Sequence, residues 1–170
     1  MNLVSLCLVL FCFAPFMPHQ QALPPLDDPG TASHVFYAEQ AKVGDVYAGM
    51  TLTSLDVNLE TNDVTAQFTG EATITGTYEV IPEDDEFFSG VSFEVDSASI
   101  PQLPVLATDE RDKKWFIFVN EDLDSLLAAF GNPQPGVKGK ATVVISDYRI
   151  NHLHKEIADT AKLVNVIRLE

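Results

Sequence analysis

The sequence predicts a mainly β fold: a small, strongly coiled barrel of five or six strands carrying one short helix, with a β-sandwich as the alternative. Three observations carry this. Residues 64–80 alternate without a break, with Val64, Ala66, Phe68, Ala72, Ile74, Tyr78 and Val80 on one parity and Thr, Gln or Glu on the other. Such alternation puts one face in a core and the other in water. Two other stretches alternate with a single slip of phase, as β-bulges produce. Only one segment, near residue 123, has helical spacing.

At ~3.3 Å per residue the run 64–80 would be about 55 Å long, well beyond an ordinary strand. Gly70 and Gly76 share the apolar parity, and glycines on an inner face let a strand coil sharply. A hairpin turn at one of them is the competing explanation. Val46–Leu59 precedes this run, with Met50 and Leu52 on one parity and Leu55, Val57 and Leu59 on the other. A bulge at Thr53–Ser54 would return both sets to one face, and Glu60 to Asp63 supply turn residues for a hairpin. Val91, Phe93 and Val95 alternate again. Trp115 to Val119 is continuously apolar and reads as a central strand covered on both faces.

Asn120-Glu121-Asp122 offers capping oxygens and acids for a helix start. Leu123, Leu126, Leu127 and Phe130 give its apolar spacing, and Gly131-Asn132-Pro133 stops it. Val137–Ile150 is the last long strand, with a phase slip near Ser146–Asp147. Leu163–Leu169 would close the fold.

The order of long strands, bulges, inward glycines and a late helix resembles a small OB-type barrel over residues 43–152. In an OB barrel the helix follows the third strand; counted along this chain it follows a fourth. Val43-Gly44-Asp45 with Gly49-Met50-Thr51-Leu52 also resembles the opening strand of small exported bacterial domains of unassigned function.

The chain begins with an apolar run, Leu3–Met17, that contains no acid and no base. About 15 residues is short of the ~20 a membrane span needs, and the run fits a secretory signal of residues 1–22. Residues 23–34, with Pro24, Pro25, Asp27, Asp28, Pro29 and Gly30, read as a flexible tether, and 35–170 as one domain. Both cysteines, Cys7 and Cys12, fall in the signal, so the mature domain is expected to lack thiol chemistry and disulfides. The expected location is secreted or cell-envelope, without stable membrane insertion once the signal is gone.

The net charge is −15. Residues 138–170 hold six bases against four acids, leaving four bases against 21 acids elsewhere. A field of that sign repels phosphate backbones, which excludes nucleic acid as a partner.

Three groups are candidates for chemistry. His152, His154 and Glu156 are spaced two apart, so an extended chain would point them to one side as a metal set; ordinary surface histidines are the plainer reading. Glu83-Asp84-Asp85-Glu86 is a compact acidic run that a weakly bound calcium would relieve, and Asp109-Glu110-Arg111-Asp112 is a second cluster in an expected loop. Phe87-Phe88 offers an aromatic ligand contact. Asn120-x-Asp122-x-Asp124 begins like a calcium loop, but Ser125 stands where that loop needs glycine. No nucleophile elbow, phosphate loop or His-Glu-x-x-His is present. The expectation is therefore a non-enzymatic binding module for a protein or a saccharide, with no cofactor beyond weak calcium. A cation-binding protein and a small carboxylate-based hydrolase are the alternatives.

Overall fold

A computed structural model describes residues 33–82, 90–153 and 158–170. In chain order the strands begin with β1 (Val35–Phe36), β2 (Val46–Tyr47), β3 (Met50–Asn58), β4 (Asp63–Thr69), β5 (Glu71–Ile81) and β6 (Gly90–Val95). A 3-10 turn over Ser97–Gln102 leads to β7 (Val105–Leu106) and β8 (Trp115–Phe118). Helix α1 (Leu123–Ala129) is followed by β9 (Lys138–His152) and β10 (Asp159–Leu169).

The alternating run is a single path. β4 and β5 do not pair with each other; both lie antiparallel along β9, at 149–152 and 138–146 respectively. The run therefore bends rather than reversing, and the hairpin alternative is excluded. The bend is at Gly70, whose φ is +119°. Its expected inward position is corrected: Gly70 is exposed, and it bends the strand through its backbone conformation. Gly76 does face the core. A Cβ there would lie 2.5 Å from Phe93 Cε1 and closer still to the Glu94 carbonyl oxygen, so β6 packs directly over the missing side chain.

Both expected bulges are present. Leu52 pairs with Phe68 and Ser54 with Gln67, leaving Thr53 as the extra residue. In β9 the register against β10 slips between Arg149 and Ser146, where Asp147 sits at φ +49°. The stretch Val46–Leu59 is not one strand, however. Ala48 and Gly49, at φ +50° and +79°, make a two-residue turn that pairs Tyr47 with Met50, the geometry of a type I′ hairpin.

The pairings run full circle through β5–β6, β6–β8, β8–β10, β10–β9 and β9–β5. Counting these five from the N-terminus, the ring reads first, second, third, fifth, fourth, with the third and fifth parallel. A ring of strands closed in this way is consistent with a small β-barrel. The helix follows β8, the third strand of the ring. Counted along the sequence it follows a fourth long strand, because β3 precedes the ring and, with β2, extends the sheet beyond β4.

The ring closes on an aromatic core. Phe93 stacks on Phe116 with centroids 5.5 Å apart, Phe116 meets Phe118 edge-on at 5.2 Å, and Tyr148 packs against Phe116 at 6.1 Å. Helix α1 caps one end, placing Leu126 and Phe130 in the core. Asp122 caps it, its Oδ1 accepting from the backbone N–H groups of Asp124 and Ser125.

Candidate functional site

β8 carries the site because its two faces differ. Phe116 and Phe118 point into the barrel, so Trp115, Ile117 and Val119 point out. The expectation of a strand covered on both faces is corrected here: Val119 is exposed, Trp115 is half-buried, and only Ile117 is buried on the outer side. Trp115 is the chain's single tryptophan. It pairs with Glu94 of β6.

Beside it lies a groove of about 480 Å³. One wall is the approach to β8, with Arg111, Asp112, Lys113 and Trp115; the other is the end of β9, with Asn151, His152 and Leu153. An indole set beside several convergent polar groups in a concave surface is the usual make-up of a ligand site. A second hollow, about 390 Å³, lies against α1 and is lined by Val80, Leu123, Leu127, Pro133 and Pro135 among others. Its lining side chains are all apolar, so it lacks that convergence of polar side chains.

The groove rests on a buried charge cluster. Arg111 donates from Nε to Asp109 Oδ1 at 2.9 Å and from Nη2 to Asp109 Oδ2 at 2.7 Å. The same Nη2 donates to Asp159 Oδ2 at 3.0 Å. Lys114 Nζ also donates to Asp109. Asp159 further accepts from Tyr148 Oη at 3.1 Å and from the Asn151 backbone N–H at 2.9 Å. Asn151 Nδ2 donates to the Ala158 carbonyl at 2.8 Å, which ties the end of β9 to the start of β10. The side chains of Asp109 and Asp159 are 0% and 1% exposed, whereas that of Arg111 is 28% exposed and reaches the groove.

The two carboxyls respond differently to burial. It raises both, but around Asp109 the hydrogen bonds from Arg111 and Lys114 win and hold the carboxyl well below the ordinary range. Around Asp159 desolvation wins over the Arg111 charge, and the carboxyl is raised. Burial, reinforced by the charge on Asp159, pushes the Tyr148 phenol up. The hydrogen bond to Asp109, against the cost of burial, raises Arg111 further, so its guanidinium stays charged. Two acids and two bases make the cluster neutral, which is how buried charges are tolerated.

Of the residues singled out from sequence, His152 lies in the groove, half-buried at the end of β9. His154 and Glu156 lie outside the described residues, as do Glu83, Asp84, Asp85, Glu86, Phe87 and Phe88. Among the described residues no group of three or more His, Cys, Asp or Glu is placed to hold a metal. The loop cluster at Asp109 is corrected: Asp109 is not a solvated loop acid but a buried one, fixed by Arg111 and Lys114. Asn120-x-Asp122-x-Asp124 is structural. Asn120 bridges to the backbone N–H and carbonyl of Leu163, both at 2.9 Å, and Asp122 is the helix cap.

No protein-family model, curated protein or solved structure matches this chain. Fold and site geometry thus carry the functional argument alone. Among the described residues no helix is long and apolar enough to cross a membrane.

The groove residues that sequence reasoning passed over as site residues are Lys113, Trp115, Asn151 and Leu153. A signal existed for one of them. A lone tryptophan at the start of an apolar strand, next to Lys113-Lys114, suits a half-exposed platform better than a core position.

Proposed function

We propose that this protein is an exported, non-enzymatic binding module whose groove beside β8 takes a saccharide. The observation that carries this reading is Trp115, half-buried on the outer face of the third ring strand, with Arg111, Asn151 and His152 around it. For this chain nucleic acid is disfavoured by a net charge of −15. Sugar rings present an apolar face to an aromatic platform and hydroxyls to polar groups at its rim. The groove has both.

The use of the two buried carboxylates supports a binding role. Asp109 and Asp159 are buried and committed to Arg111, Lys114 and Tyr148, so neither is placed to act as an acid or base on a groove ligand. A carboxylate hydrolase needs two acids free to face its substrate.

Because Trp115 is the sole tryptophan, its emission reports on the groove directly. Titration with neutral oligosaccharides is expected to shift its spectrum saturably. Trp115→Phe keeps a ring and should retain part of the affinity, and Trp115→Ala should lose it. Retention of full affinity by Trp115→Ala, measured by calorimetry, would remove the groove from consideration.

A further inference from the structure

We infer that Asp109 and Asp159 make Arg111 a fixed, charge-compensated hydrogen-bond donor that selects uncharged polyhydroxylated ligands over anionic ones. The inference rests on the groove being the ligand site and adds which class of saccharide it accepts.

The geometry uses up one side of the guanidinium. Nε and Nη2 are taken by Asp109 and Asp159, while among the described residues Nη1 has no hydrogen-bond partner. Two buried carboxylates hold the plane of the fork, so Arg111, which lines the groove and is 28% exposed, has little rotational freedom left to lose on binding. The end of β9 offers the opposite polarity. Asn151 commits its backbone N–H to Asp159 and one of its two Nδ2 hydrogens to the Ala158 carbonyl, while Oδ1 is an acceptor.

A donor and an acceptor on one groove match a hydroxyl, which both gives and takes a proton. A carboxylate can only accept. It would accept from Arg111 but meet the Asp112 carboxylate, which also only accepts, in the same groove. Nor would it gain a full positive charge in return. Arg111 and Lys114 are balanced by Asp109 and Asp159, and Lys113 is paired with Glu94 at 2.7 Å. The groove holds cationic side chains without a net positive field, on a chain of net charge −15. An anionic sugar therefore pays desolvation with little Coulombic return.

The test compares neutral gluco-oligosaccharides with uronic-acid oligosaccharides of equal length, read through Trp115 emission at low and moderate salt. The neutral ligands are expected to bind at least about tenfold tighter. Asp159→Asn uncovers part of the Arg111 charge and should narrow that ratio about tenfold by improving uronate binding. Uronates binding as tightly as neutral sugars to the unaltered protein would overturn the inference while leaving the groove as the site. Silence from both classes would remove the site and the inference together. The clamp itself is read without any ligand, by ¹⁵N spectroscopy of the unaltered protein: hindered rotation and separate Nη resonances are expected for Arg111. A freely rotating Arg111 guanidinium would overturn the inference even if neutral sugars bind.

Discussion

Substituting Gly76 tests the coiled barrel at the point where the structure leaves least room. Gly76 pairs with Val95 on one side and Ala141 on the other, so the position is central in the ring. A Cβ added there lies 2.5 Å from the Phe93 ring and nearer still to the Glu94 carbonyl oxygen. The ring is itself stacked on Phe116 and edge-on to Phe118, 5.9 Å away, so it has little space to retreat. The carbonyl belongs to the paired strand. Gly76→Ala therefore has to push β6 away from β5 or drive Phe93 into its neighbours. Opposing this, alanine restricts the unfolded chain and gains ~0.4–1 kcal/mol. Overpacking of a well-filled core costs ~1–3 kcal/mol, and each ladder hydrogen bond stretched open costs roughly 1 kcal/mol more. The net is a loss of about 2–3 kcal/mol. For a domain of this size ~3 °C of melting temperature accompanies each kcal/mol, so a fall of about 6–9 °C is expected by calorimetry or near-ultraviolet dichroism. A Gly76→Ala protein as stable as the unaltered chain would refute the close approach of β5 and β6, and with it the tight coiling of the ring.

Other consequences are open to simpler measurements. Asp159→Ala leaves Tyr148 and the Asn151 N–H without their acceptor and Arg111 with Asp109 alone, and should lower unfolding free energy by about 3 kcal/mol in urea titrations, as breaking a buried pair from one side does. Asp109 is held below its ordinary value when folded, so its contribution is whole above the unfolded value near pH 4 and is lost as pH falls toward the folded one. Accordingly, the urea midpoint of the unaltered protein should fall through that acid range, and Asp109→Asn should flatten this limb by comparison. Ala48 occupies a left-handed position, φ +50°, in a type I′ turn, so Ala48→Asn should stabilise by about 0.5–1 kcal/mol, seen as a higher melting temperature. Hydrogen exchange over 64–80 should show slow amides on both sides of Gly70; a fast-exchanging reverse turn there would contradict the shared pairing of β4 and β5 with β9.

What the sequence discloses is the information that side-chain parity carries. The alternation of 64–80 fixed which residues face the core, and the phase slips at Thr53 and at Asp147 located both bulges, because one inserted residue reverses every later parity. Parity says less about backbone conformation. Gly70 shares the apolar parity yet is exposed, since a bend at φ +119° turns the position out of the pleat. Ala48-Gly49 passed for strand because alanine is an unusual occupant of a left-handed turn. At Trp115–Val119 an unbroken apolar run erased the alternation that would have told inner from outer face. The charge cluster was least legible of all. Asp109 and Asp159 lie 50 residues apart, and nothing local separates Asp109 from the solvated acids around it. Their burial comes from β10 running parallel beside β8, a long-range pairing with no short-range signature.

That same pairing explains why the groove lies where it does. Asp159 is the first residue of β10 and pairs with Phe116 of β8, so closing the ring brings a carboxylate beneath the approach to β8. Tyr148 and Asn151 of β9 reach the same carboxylate from the other side, and Arg111 spans it to Asp109. One buried acid in β10 is thus bonded to groups from two other parts of the chain, β9 and the approach to β8, that meet it only when the barrel closes. A buried acid of this kind is a poor source of stability, because desolvation offsets most of what its pairing contributes. A hydrophobic seam would close the barrel as well. What a neutral, fully bonded cluster supplies that a hydrophobic seam does not is a fixed orientation for Arg111 and Asn151, the two groups that carry it to the surface, and both of them line the groove beside Trp115.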